Sequence, residues 1–322
     1  MKKLKGKVAV VAGATRGTGR GIACALGEAG ATVYCTGRST RENRPARRPK
    51  SAKPFDLANR PETIEETAEL VSARGGVGIH AQVDHTDEGQ VAALFRRVKK
   101  ERGRLDILVN DVWGGDELGE WKPFWKLSTE KGLLMLRRAV FSHIITSRHA
   151  APLMVERKRG LIVEVTDGDG LHYRGTLFYD LVKVSVIRLA FDMAEELRKH
   201  KVAAVSISPG FLRSEAMLEY MGVTEENWRD AAKKRPDFGE SETPLFVGRA
   251  VAALAADPKV LKKTGKVLSS WNLAREYGFT DADGRQPFFP QWVRENMPSF
   301  LEKMRESERR FCEVGSIFAT SE

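Results

Sequence analysis

The chain has 322 residues, 42% of them apolar and 30% charged, so it can bury a sizeable core and needs no more than one domain. Its formal net charge of +10 invites a nucleic-acid partner, yet the basic surplus is concentrated between Arg38 and Lys53 and is followed at once by the acidic stretch "PETIEETAEL". No aromatic residues interleave there, so a focused basic spot is expected and no polynucleotide partner. Apolar runs stay well short of the roughly 18 residues a membrane span requires, and the basic head passes into "KVAVVAG" without a cleavage-like site. Neither a span nor a signal peptide is expected, which places the protein in the cytoplasm. Cys24, Cys35 and Cys312 form no CxxC pair and the six histidines no H-E-x-x-H pattern, so no metal site is expected.

In chain order, short β-rich runs alternate with helical patterns. The runs are "KVAVVAG", "TVYCTG", "VGIHAQV", "LDILVN", "GLIVEVT", "VAAVSIS" and "GKVLSS". Between them lie stretches such as "EGQVAALFRRVKKERG" at 88–103, apolar at intervals of three and four. Mostly continuous apolar runs read as parallel strands covered on both faces. The fold class is therefore α/β, a doubly wound parallel sheet (Rossmann fold) of about seven strands with helices on both faces. We expect a single NAD(P)-binding domain over 1–322, with an extended loop at about 38–60, a lid at about 211–242 and a C-terminal extension at about 279–322. Ligands of such sheets bind beyond the carboxyl ends of the strands.

After the first run, "AGATRGTGRGIA" spaces Gly13, Gly17 and Gly19 before a helix start, with Thr15, Arg16 and Thr18 among them. A backbone without Cβ atoms approaches a pyrophosphate closely, and the helix amino end offers free N–H groups. The second run ends without an acid, beside Arg38 and Ser39. With Arg16 these suit a 2'-phosphate, so NADP(H) is the expected cofactor over NAD(H). Asp84 in "VDHTDE" stands where it can accept from an adenine amine, and Asn110 in "VNDVWGG" beside the crevice floor; an Asx-turn or helix cap explains either equally well. Trp113, Trp121, Phe124 and Trp125 are expected at the rim, favouring an apolar or aromatic substrate.

In "LFYDLVK", Tyr179 and Lys183 are four residues apart on one helical face. An ammonium beside a phenol favours the phenolate, which makes proton exchange with an alcohol or carbonyl feasible. Here "AGATRGTG", "VDHTD", "LDILVNDVWGG", "GLIVEVT", "YDLVK" and "SISPGFLRSE" together resemble the short-chain dehydrogenase/reductase family, over residues 5 to about 215 and on towards 270. The resemblance implies that Tyr179 exchanges the substrate proton and that Lys183 contacts the nicotinamide ribose and lowers the tyrosine pKa. It also implies that Gly13, Arg16, Gly19, Asp84 and Asn110 touch the cofactor, that Pro209 and Gly210 turn beside the nicotinamide, and that Ser214 stands near the family's usual Thr.

The departures from the family pattern cluster at the reaction end. Where the family has a Ser after its fifth strand, one count lands on Asp167 and another on Thr166. A hydroxyl donates and accepts whereas an ionised carboxylate only accepts, so Thr166 is the expected catalytic partner, with Asp167 turned away. The family's relay Asn is missing from "LRRAVF" at 136–141, and "NDV" at 110–112 introduces a charge. The expected function is NADP(H)-dependent interconversion of an aldehyde or ketone and an alcohol, the alternative a dinucleotide sensor or scaffold with lost or altered catalysis. A homodimer or homotetramer is expected, built through the helices flanking the fifth strand, with "PFFPQW" as further apolar surface.

Overall fold

The computed structural model describes residues 2–43 and 60–312. Most of the expected loop at about 38–60, with the basic residues Arg44 to Lys53, lies outside the described residues, as does the end of the extension from 313. The elements in order are β1 (Val8–Ala12), α1 (Gly17–Glu28), β2 (Thr32–Gly37), α2 (Ile64–Ala73), β3 (Val77–Gln82), α3 (Glu88–Arg102), β4 (Ile107–Asn110) and α4 (Thr129–Leu136). A π-helical turn at Arg137–Phe141 leads into α5 (Ser142–Val155), β5 (Gly160–Val165), α6 (Leu177–Leu197), β6 (Val202–Ser208), α7 (Glu215–Met221) and α8 (Arg229–Ala232). The chain continues through α9 (Pro244–Ala256), β7 (Val267–Ser269), α10 (Ser270–Tyr277), α11 (Phe289–Asn296) and α12 (Pro298–Cys312).

Seven strands form one parallel sheet, as the run pattern predicts, and their order is β3-β2-β1-β4-β5-β6-β7. Side chains alternate across a strand, so a strand covered on both faces must be apolar throughout. In β1, Ala9 and Val11 join Ile22 and Leu26 of α1 and Val247 and Val251 of α9 on one face. Val8 and Val10 join Leu94 and Val98 of α3 and Met154 of α5 on the other. Each such fully buried Val or Leu contributes about 1.5–3 kcal/mol. β3 departs from the expectation of covered strands: it is a sheet edge, and its residues are half-buried or exposed except for Ala81.

Local signals end the helices where the sequence provides them. Asp87 caps α3 by accepting from the Gln90 N–H, and Gly103 closes it at φ 66°. Close packing of α1 on α9 depends on glycine: a Cβ on Gly21 would lie 2.1 Å from the Pro244 carbonyl oxygen, and one on Gly248 2.5 Å from that of Gly21. β1 and β4 are neighbours although β2 and β3 intervene in sequence, so the strand order reverses between them and opens a crevice at their carboxyl ends.

The expected lid comprises α7, α8 and a short 3-10 turn at Pro236–Glu240. It has its own apolar cluster of Trp228, Ala231 and Phe238, against which Phe211 and Met217 pack. The aromatic tail is tied to it, since Phe289 meets Phe211 edge-on at 5.8 Å. Among the described residues no helix is long and apolar enough to cross a membrane, and no cluster of ligating side chains suits a metal ion.

Candidate active site

The glycine loop between β1 and α1 is pinned to β2, as the N–H groups of Gly13 and Ala14 both donate to the Thr36 carbonyl oxygen. Gly13 lies at φ +89°, and a Cβ there would stand 2.6 Å from the Asp111 carbonyl oxygen, so no other residue fits this turn. Thr15 is buried beside it and Thr18 half-buried in the first turn of α1. That first turn has no acid of its own. Two carboxylates come to it from elsewhere: Glu215 Oε2 accepts from the Gly17 N–H at 2.9 Å, and Asp111 lies against the Gly19 amide. Burial pushes the Asp111 carboxyl up to about 7, against the pull of the Lys183 ammonium. A carboxylate on the Gly17 amide stands in for an anion, so the loop's donor set fits a pyrophosphate.

At the far end of the crevice, exposed Arg38 stands 3.9 Å from the Asp84 carboxylate. The other Asp84 oxygen accepts from the N–H and hydroxyl of Thr86, the Asx geometry that competes with an adenine contact. Ser39 is tied through its backbone, its carbonyl accepting from the Ile64 N–H. Arg16 faces Glu62 at 3.4 Å, and Glu62 is itself paired with Arg60. A buried acid thus reaches Arg16 from another segment, although β2 itself ends without one.

Asn110 is fully buried, and its Nδ2 donates to Glu164 Oε1 at 2.6 Å and Ser147 Oγ at 2.9 Å, while its Oδ1 has no partner. The other Glu164 oxygen is 2.6 Å from His143 Nδ1, which locks β4, β5 and α5 together under the crevice. Beyond β6, Pro209 and Gly210 leave the sheet: the Gly210 N–H donates to Glu242 Oε2 at 2.9 Å, and Ser208 Oγ bridges the Gly168 N–H and the Pro209 carbonyl. Burial pushes the Glu242 carboxyl up to about 8. Ser214 caps α7 by accepting from the Met217 N–H.

At the reaction end the geometry corrects the sequence reading. Thr166 is buried and continues the sheet ladder, its N–H donating to the Ile207 carbonyl. Its hydroxyl donates to the Lys183 carbonyl oxygen at 2.8 Å and so faces the α6 backbone, away from the crevice. Asp167, expected to turn away, instead accepts a short hydrogen bond from the Tyr179 hydroxyl. The tyrosine shift is corrected too. Burial first, then the charge and hydrogen bond of Asp167, push the phenol well above its ordinary value instead of below it. Burial lowers the Lys183 pKa while Asp167, Asp116 and Asp111 pull it back up. Its ammonium lies 4.0 Å over the Trp113 ring and 5.5 Å from the centre of Tyr179.

Trp113 and Trp121 flank Tyr179 at 5.6 and 6.0 Å between ring centres, whereas Phe124 and Trp125 pack edge-on against each other at 5.3 Å. In place of the relay Asn, the π turn carries Arg138, which donates to the Gly114 carbonyl at 2.8 Å. The loop after β5 is held from outside by α12, where Glu308 accepts from the Leu171 N–H and Ser307 from the Tyr173 N–H.

A family model described as short chain dehydrogenase matches residues 49–222. Dehydrogenase/reductase SDR family member 1 of Mus musculus is 38% identical over 287 residues, covering 88% of this chain and 85% of that protein. This chain belongs to the short-chain dehydrogenase/reductase family. The same-named Homo sapiens protein is 35% identical over 317 residues, 92% of this chain and 94% of that one. A crystal structure of a short chain dehydrogenase from Mycobacterium thermoresistibile superposes with a TM-score of 0.70 at 22% identity, over 88% of this chain and 91% of that one. The family is one of oxidoreductases that use nicotinamide dinucleotides.

Within this short-chain dehydrogenase/reductase, sequence reasoning missed Glu62, Glu164, Glu215 and His143. Glu164 alone carried a signal, as the one charge inside the apolar run "GLIVEV". Glu215 and Glu62 reach the crevice from distant segments, and no local pattern announces them.

Proposed function

We propose that the chain is an NADP(H)-dependent oxidoreductase that transfers a hydride between the dinucleotide and a small, apolar or aromatic substrate, at a polarised double bond to carbon. From the sequence alone that bond is the C=O of an aldehyde or ketone, with an alcohol as its reduced form. The observation that carries the reading is the convergence of the Tyr179 hydroxyl, the Asp167 carboxylate and the Lys183 ammonium beside the strand ends that bear the glycine cradle. When bound, the dinucleotide supplies or takes the hydride. The α1 amides and Gly13, Thr15, Gly17, Thr18 and Gly19 hold its pyrophosphate, and Asp84, Asn110, Pro209 and Gly210 border the crevice. Arg38 and Ser39, with Arg16, hold the 2'-phosphate. Lys183 faces the ribose, and Tyr179 exchanges the substrate proton next to Asp167. Thr166 fixes the amino-terminal part of α6 through the Lys183 carbonyl rather than touching substrate. Cys24 and Cys35, buried as free thiols, suit a cytoplasmic setting.

The test is calorimetric titration with NADPH and NADH, followed by NADPH oxidation across aldehydes, ketones and imines. Binding with substrate-dependent oxidation is expected, and absence of binding overturns the reading. Binding without oxidation favours a dinucleotide sensor, a reading that the Glu215 carboxylate on the Gly17 amide supports because binding must displace it.

A further inference from the structure

We infer that the group reduced at this site is a protonated carbon–nitrogen double bond, with Asp167 as its counter-ion and the residue that sets substrate class. The inference rests on the hydride-transfer reading above and deepens it by naming the reacting bond. An ionised carboxylate holds no proton to donate, and it repels an oxygen that gains negative charge. Asp167 is exposed at the end of β5 and accepts from the Tyr179 phenol. The same carboxylate accepts from an N–H and attracts a cation.

Of the acids near Lys183, Asp167 acts on its ammonium most strongly, while burial pushes the carboxyls of Asp111 and Asp116 up. The Arg174 guanidinium is paired with Asp180 at 3.2 Å and reaches Asp167 only at the backbone carbonyl, so the Asp167 carboxylate stays open on the Tyr179 side. Aromatic faces attract cations as well, and the Lys183 ammonium already occupies one face of Trp113. Trp121 is 69% exposed on the other side of Tyr179, so an apolar ring next to the iminium has a surface to lie against.

The bond changes balance. The iminium carbon accepts the hydride from the reduced dinucleotide, the C=N π pair becomes the nitrogen lone pair, and the dinucleotide is left oxidised. The nitrogen arrives carrying its proton, so the proton that Tyr179 would supply to a carbonyl oxygen is not needed for this substrate, and the Tyr179 hydroxyl holds the Asp167 carboxylate in place. The neutral amine takes a further proton from water on release. In reverse, hydride removal builds positive charge on nitrogen, the charge that Asp167 stabilises.

The test has two arms. NADPH oxidation is followed with a small cyclic imine and with the cyclic ketone of matching size, for wild type, Asp167→Ser and Asp167→Asn. Wild type is expected to favour the imine in kcat/KM by about tenfold or more, and Asp167→Ser to reverse that preference. In the second arm, the matching cyclic amine and alcohol are titrated calorimetrically into the protein without dinucleotide. Wild type binds the amine selectively, and Asp167→Asn loses roughly tenfold of that affinity. A wild-type preference for the ketone, or amine binding unchanged by both substitutions, overturns the inference. Failure to bind NADPH would instead overturn the hydride-transfer reading, and the amine titration still reports on Asp167.

Discussion

The Tyr179 hydroxyl donates to the Asp167 carboxylate, joining the loop after β5 to the first turn of α6. Burial and this neighbouring charge hold the phenol protonated beyond its ordinary value near ~10. The folded state therefore keeps a proton that the unfolded chain releases. Its contribution to stability is complete below about pH 10 and is lost as pH rises through the folded pKa. Alkaline absorbance titration, with Tyr179→Phe as the subtraction, should show this phenol ionising last among the five tyrosines or close to it. Asp167→Asn should move the ionisation downward. An unchanged titration would mean that the carboxylate does not govern the phenol.

A second relationship crosses the crevice, between Glu215 of α7 and the Gly17 amide of α1. The carboxylate satisfies a helix-end donor that a pyrophosphate also needs. Glu215→Ala should lower stability by about 1 kcal/mol and yet tighten NADPH binding roughly three- to tenfold, because nothing then has to be displaced. Thermal melting and calorimetry read the two effects separately. Weaker NADPH binding in this variant would place Glu215 among the groups that support the cofactor.

The sheet was legible because its physics is local: β1, β4 and β6 are covered on both faces, and that requirement writes an apolar run at each. Tyr179 and Lys183 were legible for a similar reason, since helical spacing alone puts them on one face. The choice between Thr166 and Asp167 was not, because a shift of one residue at a strand end exchanges the faces. The ladder bond from the Thr166 N–H to Ile207 decides it, and that bond belongs to the β5–β6 pairing. Glu215 and Glu62 were illegible because their partners Gly17 and Arg16 lie in another part of the chain, and only the folded sheet brings them together.

Cofactor choice turns on Arg38. Arg38 is 60% exposed and only loosely drawn to Asp84, so among the described residues it is open to a 2'-phosphate, whereas Arg16 is also engaged by the buried Glu62. Arg38→Ala should weaken NADPH binding by roughly ten- to a hundredfold while changing NADH binding little. Titration of both cofactors into both proteins measures this directly. Equal losses would remove the 2'-phosphate assignment and point to Glu62 as a ribose partner.

Assembly is expected through the helices flanking β5, where several apolar side chains are left outside. Phe141 at the end of the π turn, Ile144 of α5, and Leu181 and Phe191 of α6 are all exposed. The tail offers less than its composition promised, since Phe289 is engaged by Phe211 and stacks on Trp292. Two such helix faces, repeated by symmetry, can approach the roughly 1,600 Å² of a standard interface, and a charge at the centre of that interface would be buried without a partner. Sedimentation at micromolar concentration should show a dimer or tetramer for the wild type. Ile144→Glu combined with Leu181→Glu should shift it to monomer and leave NADPH binding intact, since neither residue borders the glycine loop. A wild-type monomer throughout that range, or an oligomer indifferent to both substitutions, would move the interface elsewhere or remove it.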